Sequence, residues 1–184
     1  GPNNGARTIF YKCRFFNNRT ISTETRGGGA VSVFNTDLEF WECAFVNNSG
    51  AAGGAIAGKN FRLYVYGCDF INNSSSGGSD GKTQQQVGNG GAGPNNGART
   101  IFYKCRFFNN RTISTETRGG GAVSVFNTDL EFWECAFVNN SGAAGGAIAG
   151  KNFRLYVYGC DFINNSSSGG SDGKTQQQVG NGGA

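Results

Sequence analysis

The phrase Cys-x-Phe-x-Asn-Asn occurs six times in this chain, starting at Cys13, Cys43, Cys68, Cys105, Cys135 and Cys160. Residues 93–184 repeat residues 1–92 without a change, so three of the six are copies of the other three. A fixed internal period restricts a chain to stacked, quasi-one-dimensional architectures. We therefore read residues 1–184 as a single array, with 1–92 as the first repeat unit and 93–184 as its identical second. The sequence has no methionine, and the GGA closing one unit runs directly into the GPNN opening the next. We expect a piece of a longer array, without capping coils of its own.

A second period lies inside the first. Gly28, Gly53 and Gly90 each begin a Gly-Gly-Ala, fifteen residues before Cys43, Cys68 and Cys105. A core of 21 residues recurs, followed by a variable segment of four (49–52), sixteen (74–89) or nine (19–27) residues. The coils are thus 25, 37 and 30 residues long, which together make the 92-residue unit.

Within the core, apolar positions alternate with polar ones. Thr8, Leu38 and Leu63 share one position, Phe10, Phe40 and Val65 the next but one, and Phe15, Phe45 and Phe70 follow the cysteine. Arg7, Asp37, Arg62, Lys12, Glu42, Arg14 and Asp69 lie between them. Period two with β-branched and aromatic enrichment marks strands with one buried face. One coil cannot bury that face alone, whereas stacked coils can. The expected fold is all-β: a right-handed parallel β-helix solenoid of six coils, arranged as two identical three-coil units, with three short strands per coil. At the usual strand spacing the rod is roughly 29 Å long.

The GGAV at 28–31, the GGAI at 53–56 and the FxxN tetrads at 15–18, 45–48 and 70–73 resemble the repeats of chlamydial polymorphic membrane proteins. More broadly they resemble pectin-lyase-like right-handed β-helix repeats. The resemblance covers the coil cores and not the variable segments. It implies the β-helix fold, which serves surface adhesins, fibres and polysaccharide enzymes alike. Gly93-Pro94 departs from the pattern, since Val or Ile follows Gly-Gly-Ala in the other coils.

In-register stacking turns each aligned column into a ladder. Phe15, Phe45 and Phe70 are expected to form an aromatic spine in the core. Cys13, Cys43 and Cys68 form a second column, either as buried thiols or as disulfides between neighbouring coils, for example Cys13–Cys43. The Asn pairs sit where the chain must turn and suit stacked side-chain amides. They also lie in Asn-x-Ser/Thr glycosylation sequons, with candidates Asn18, Asn73, Asn110, Asn165, Asn47 and Asn72. An inward first Asn and an outward second one would favour Asn18 and Asn73 and their copies. Tyr11, Trp41 and Tyr66 either pack at a corner or form an outer aromatic stripe. Charges alternate along the columns Arg7/Asp37/Arg62 and Lys12/Glu42, and Asp69 should meet Arg106. The longest segment, 74–89, reads as a surface flap, and its GGSDG fails the calcium-repeat pattern.

The same features restrict function. The +4 charge is interspersed, with no basic block, so nucleic acid is not an expected partner. No apolar run is long enough for a membrane helix. Without histidine a Cys–His nucleophile is excluded, no metal-ligand spacing stands out, and no cofactor is expected. No carboxylate pair is singled out for sugar chemistry, so we expect no enzyme. The expected role is a structural repeat of an extracellular fibre, growing by end-to-end self-association. The alternative is a cell-surface adhesin stalk that binds glycans or a host surface.

Overall fold

The computed structural model describes residues 6–21, 27–34, 36–59, 61–76, 85–87, 99–113, 119–126, 129–151, 153–168 and 177–179. None of these residues is helical, and their strands form four sheets, three of six strands and one of five. Each sheet collects one short strand from each of several successive turns of the chain. The fold is a parallel β-helix.

The first sheet stacks Arg7–Tyr11, Asp37–Trp41, Leu63–Tyr66, Arg99–Tyr103, Asp129–Trp133 and Leu155–Tyr158. The second stacks Arg14–Phe16, Ala44–Val46, Asp69–Ile71, Arg106–Phe108, Ala136–Val138 and Asp161–Ile163. Register follows the sequence alignment: Thr8 lies opposite Leu38, Leu38 opposite Leu63, and Leu63 opposite Thr100. A one-residue slip would turn every apolar side chain outward, so the buried face fixes this register.

Each coil bends at two single residues in left-handed backbone. The residue before each cysteine is one: Lys12, Glu42, Gly67, Lys104, Glu134 or Gly159, with φ of 50–59°. The first Asn of each pair is the other, with φ of 52–56° at Asn17, Asn47, Asn72, Asn109, Asn139 and Asn164. Asn tolerates this region well, and Lys or Glu there costs about 1–2 kcal/mol. Both bends swing the following side chain, Cys or the second Asn, into the stack.

Gly-Gly-Ala has a packing explanation. A Cβ added to Gly29 would fall 2.0 Å from the carbonyl oxygen of Gly54, so only glycine lets the two coils approach there.

The core is a continuous phenylalanine column interlocked with a second column that Val65 and Val157 interrupt. Phe15, Phe45, Phe70, Phe107, Phe137 and Phe162 stack nearly parallel at 4.6–5.0 Å. Phe40 and Phe132 meet this column edge-on, at 5.1 and 4.9 Å from Phe45 and Phe137. Each such ring pair adds about 0.5–1.5 kcal/mol beyond its burial.

Two expectations need correction. Each full coil carries four short strands, not three, because a two-residue strand follows every Asn pair but the first. Ser49–Gly50, Ser74–Ser75, Arg111–Thr112, Ser141–Gly142 and Ser166–Ser167 form this five-stranded sheet. The amides holding each Asn pair against its neighbours carry the next residues into register as well.

The segment 74–89 is not merely a surface flap either. Its residues Gln85–Val87 form a strand that runs antiparallel between Ile56–Lys59 and Val123–Phe126 in the fourth sheet. Gln177–Val179 pairs in the same way with Ile148–Lys151. The returning chain supplies a rung where both neighbouring strands need hydrogen-bond partners. Gly93-Pro94, the GGSDG motif and Gly90 lie outside the described residues.

Candidate functional site

Two features could carry function: the faces by which units stack, and the outer flank beside the first bend.

At the junction between units, Leu63–Tyr66 pairs with Arg99–Tyr103 and Asp69–Ile71 with Arg106–Phe108, parallel and in the register used inside each unit. Phe70 stacks on Phe107 at 5.0 Å. The Arg106 guanidinium donates from Nε and Nη2 to the two Asp69 carboxylate oxygens, each at 2.6 Å, a fork-on-fork pair. Asp69 and Arg106 thus meet as the sequence leads one to expect.

The second Asn of each pair builds an unbroken amide ladder. Asn48 Nδ2 donates to Asn73 Oδ1 at 3.0 Å and to the Phe15 carbonyl at 2.9 Å. Its own Oδ1 accepts from the backbone N–H of Asn18 at 3.0 Å and from Asn18 Nδ2 at 2.9 Å. The pattern continues across the junction, where Asn73 Nδ2 donates to Asn110 Oδ1 at 3.1 Å. Asn48, Asn73, Asn110, Asn140 and Asn165 are all buried. This reverses the orientation on which Asn18, Asn73, Asn110 and Asn165 were the favoured glycan acceptors. Asn73, Asn110 and Asn165 spend their amides inside the rod, and Asn18 is exposed at the first rung but bonded to Asn48. Asn47 and Asn72, the first residues of their pairs, are exposed at the bend.

The cysteines do at the other bend what the amides do here, more weakly. All six are free thiols, not inter-coil disulfides. Cys13 N–H donates to Cys43 Sγ at 3.4 Å and Cys43 N–H to Cys68 Sγ at 3.3 Å. Cys68 Sγ donates to its own coil at the Tyr66 carbonyl, 3.3 Å away. Parallel Cβ vectors suit this stacking and not a bridge. Burial raises the pKa of Cys43 and Cys105 and pushes that of Cys68 up to about 12. Such thiols are poor nucleophiles.

On the outer flank Trp41 stacks on Tyr66 at 4.0 Å, while Tyr66 and Tyr103 stand 6.5 Å apart and tilted by 56°. Tyr11 is exposed at the first rung. Beside this stripe runs the bend column, which reads Lys12, Glu42, Gly67, Lys104, Glu134, Gly159. Lys12 pairs with Glu42 and Lys104 with Glu134, both at 3.5 Å. Gly67 leaves a gap between those pairs, an open notch of about 530 Å³ lined by Trp41, Glu42, Tyr66, Gly67, Tyr103 and Lys104. Aligning on the cysteines shows Gly67 as the odd residue of its column in the first unit, the one signal in the sequence for this notch.

The other expected charge column holds in part. Arg62 reaches Asp37 at 2.9 Å, but Arg7 turns to Glu39, two residues further along, at 2.6 Å. Glu39 is buried and also accepts from the Trp41 indole at 3.3 Å. Among the described residues there is no cluster of three or more metal-ligating side chains, and no helix long and apolar enough to cross a membrane. Comparison with known proteins adds no family: no family model, curated protein or solved structure matches the chain.

Proposed function

We propose that this chain is a structural repeat of an extracellular fibre, whose units add end to end through their stacking faces. The observation carrying this reading is the unit junction. It uses the strand register, Phe stack and amide ladder of the coils within a unit, and the sequence repeat gives every unit both halves of it. Arg14 and Asp161 are the copies of Arg106 and Asp69, and among the described residues neither has an ion-pair partner. Such a contact is head-to-tail and does not close on itself, so it generates filaments. A structural role is supported further by the described carboxylates of the first unit. Asp37, Glu39, Glu42 and Asp69 each hold a basic side chain. Placement outside the cell is supported by the exposed sequons at Asn47 and Asn72 and by the resemblance to surface β-helix repeats.

The test is electron cryomicroscopy of the chain at rising concentration. The expected product is a continuous rod with an axial repeat of about 14 Å, three rungs at strand spacing. Arg14→Asp and Asp161→Arg chains should each stop growing alone and grow again, as a rod of alternating chains, when mixed. Discrete particles of fixed length at every concentration would reject the fibre.

The exposed Trp41–Tyr66 stack favours a second reading, a surface stalk whose flank binds glycans.

A further inference from the structure

We infer that the notch at Gly67 is a binding subsite for a neutral pyranose ring of an oligosaccharide. This rests on the glycan-binding reading of the flank and is independent of end-to-end stacking, because the whole notch lies within one chain.

The wall of the notch is aromatic. Trp41 and Tyr66 form a face-to-face pair at 4.0 Å, and Trp41 is 38 % exposed despite that stack. Beyond them Tyr103 leans away at 56° with its ring 6.5 Å from that of Tyr66, so the stack opens there. Exposed, rigid rings with a polar edge take ligands that have one apolar face and polar rims. A pyranose has that shape: axial C–H bonds on its face and hydroxyls around its edge.

The rims supply the polar partners. Glu42 on one side accepts hydrogen bonds and Lys104 on the other donates them. The local charge selects for a neutral ligand. Glu42 is balanced by Lys12 and Lys104 by Glu134, each at 3.5 Å. Lys12 and Lys104 are also held over the faces of Tyr11 and Tyr103, at 5.0 and 5.1 Å. Two closed ion pairs leave no net charge for a phosphate or a uronate polymer to answer. A volume of about 530 Å³ falls inside the ~300–1,000 Å³ range of small-ligand sites.

The gap exists because Gly67 has no side chain, and not because the backbone differs. Gly67 has φ of 59°, against 50° at Glu42 and 53° at Lys104. A Cβ at Gly67 would meet only Glu42 Cγ, at 3.8 Å. Lysine therefore has room at this position, on the left-handed backbone its column already uses and at the cost that backbone sets for any residue but glycine.

The experiment titrates the whole chain with neutral hexasaccharides (cello-, chito- and malto-series) and with polygalacturonate, following tryptophan fluorescence. We expect a saturable change with at least one neutral series and none with polygalacturonate. Gly67→Lys should weaken binding about tenfold or more, the loss of a ring stack and its site, and lower the melting temperature no more than Gly159→Lys does, since both place lysine on left-handed backbone. Gly159→Lys, measured at a concentration where chains do not stack, should bind like the unaltered chain, because the far wall of its notch would belong to another unit. Unchanged binding by Gly67→Lys would overturn the notch and leave glycan binding to another part of the flank. Saturation with polygalacturonate would overturn the neutral-ligand assignment. No response to any neutral sugar would overturn both the notch and the glycan-binding reading.

Discussion

At the scale of single residues, the two Asn of each pair have opposite duties although they are neighbours of one type. Asn109 supplies the left-handed bend and is exposed, while Asn110 is buried with its amide committed. Asn110 Nδ2 donates to the Phe70 carbonyl and to Asn140 Oδ1 at 2.9 and 3.0 Å. Replacing it by Asp removes both donations and sets a carboxylate against two acceptors. We expect Asn110→Asp to cost about 3 kcal/mol or more, since several buried groups lose partners together. Asn109→Ala should cost only about 1–2 kcal/mol, the left-handed backbone penalty. Urea midpoints of the two variants decide the point, and equal losses would contradict the division of labour.

At the scale of elements, the thiol column gives a pH signature. Cys68 binds its proton up to about pH 12 in the fold, against an ordinary value of 9.0. Between those values the unfolded chain has released the proton and the folded chain has not. A raised acid pKa therefore stabilises fully below pH 9, and the contribution is lost as pH climbs towards 12. The urea midpoint should fall across that window, and fall less in Cys68→Ala, whose loss of packing is the same at every pH. Parallel curves for the two chains would show that the column does not titrate as argued. The inserted strand Gln85–Val87 belongs to this scale too. It joins the last full coil of one unit to the first of the next, so the longest variable segment contributes to the junction.

At the scale of the whole molecule, each coil contacts only its neighbours, and stability is a sum of coil terms and interface terms. End coils lack one interface. Phe15 and Phe162 are only partly buried, while Phe45, Phe70, Phe107 and Phe137 are fully enclosed. Chains of two, three and four units should therefore melt at rising temperatures that level off with length. A melting temperature independent of unit number would mean that units fold separately and that the junction adds nothing.

The sequence by itself determined the period, the strand faces, the register and the two ladders. These depend on side-chain alternation and on identical residues recurring at fixed offsets, and both are visible in one dimension. The Asp69–Arg106 pair was legible for the same reason. Other features were decided only by the tertiary structure. Which Asn points inward depends on which residue takes the left-handed bend, and two adjacent asparagines carry no sign of that. Arg7 bonds Glu39 rather than Asp37 because a long side chain can choose between two acceptors on one edge. Gln85–Val87 becomes a strand because two neighbouring coils offer it unpaired backbone, a demand no local pattern in 74–89 announces. The notch at Gly67 exists only once coils stack, when a missing side chain becomes a space between the side chains of other rungs.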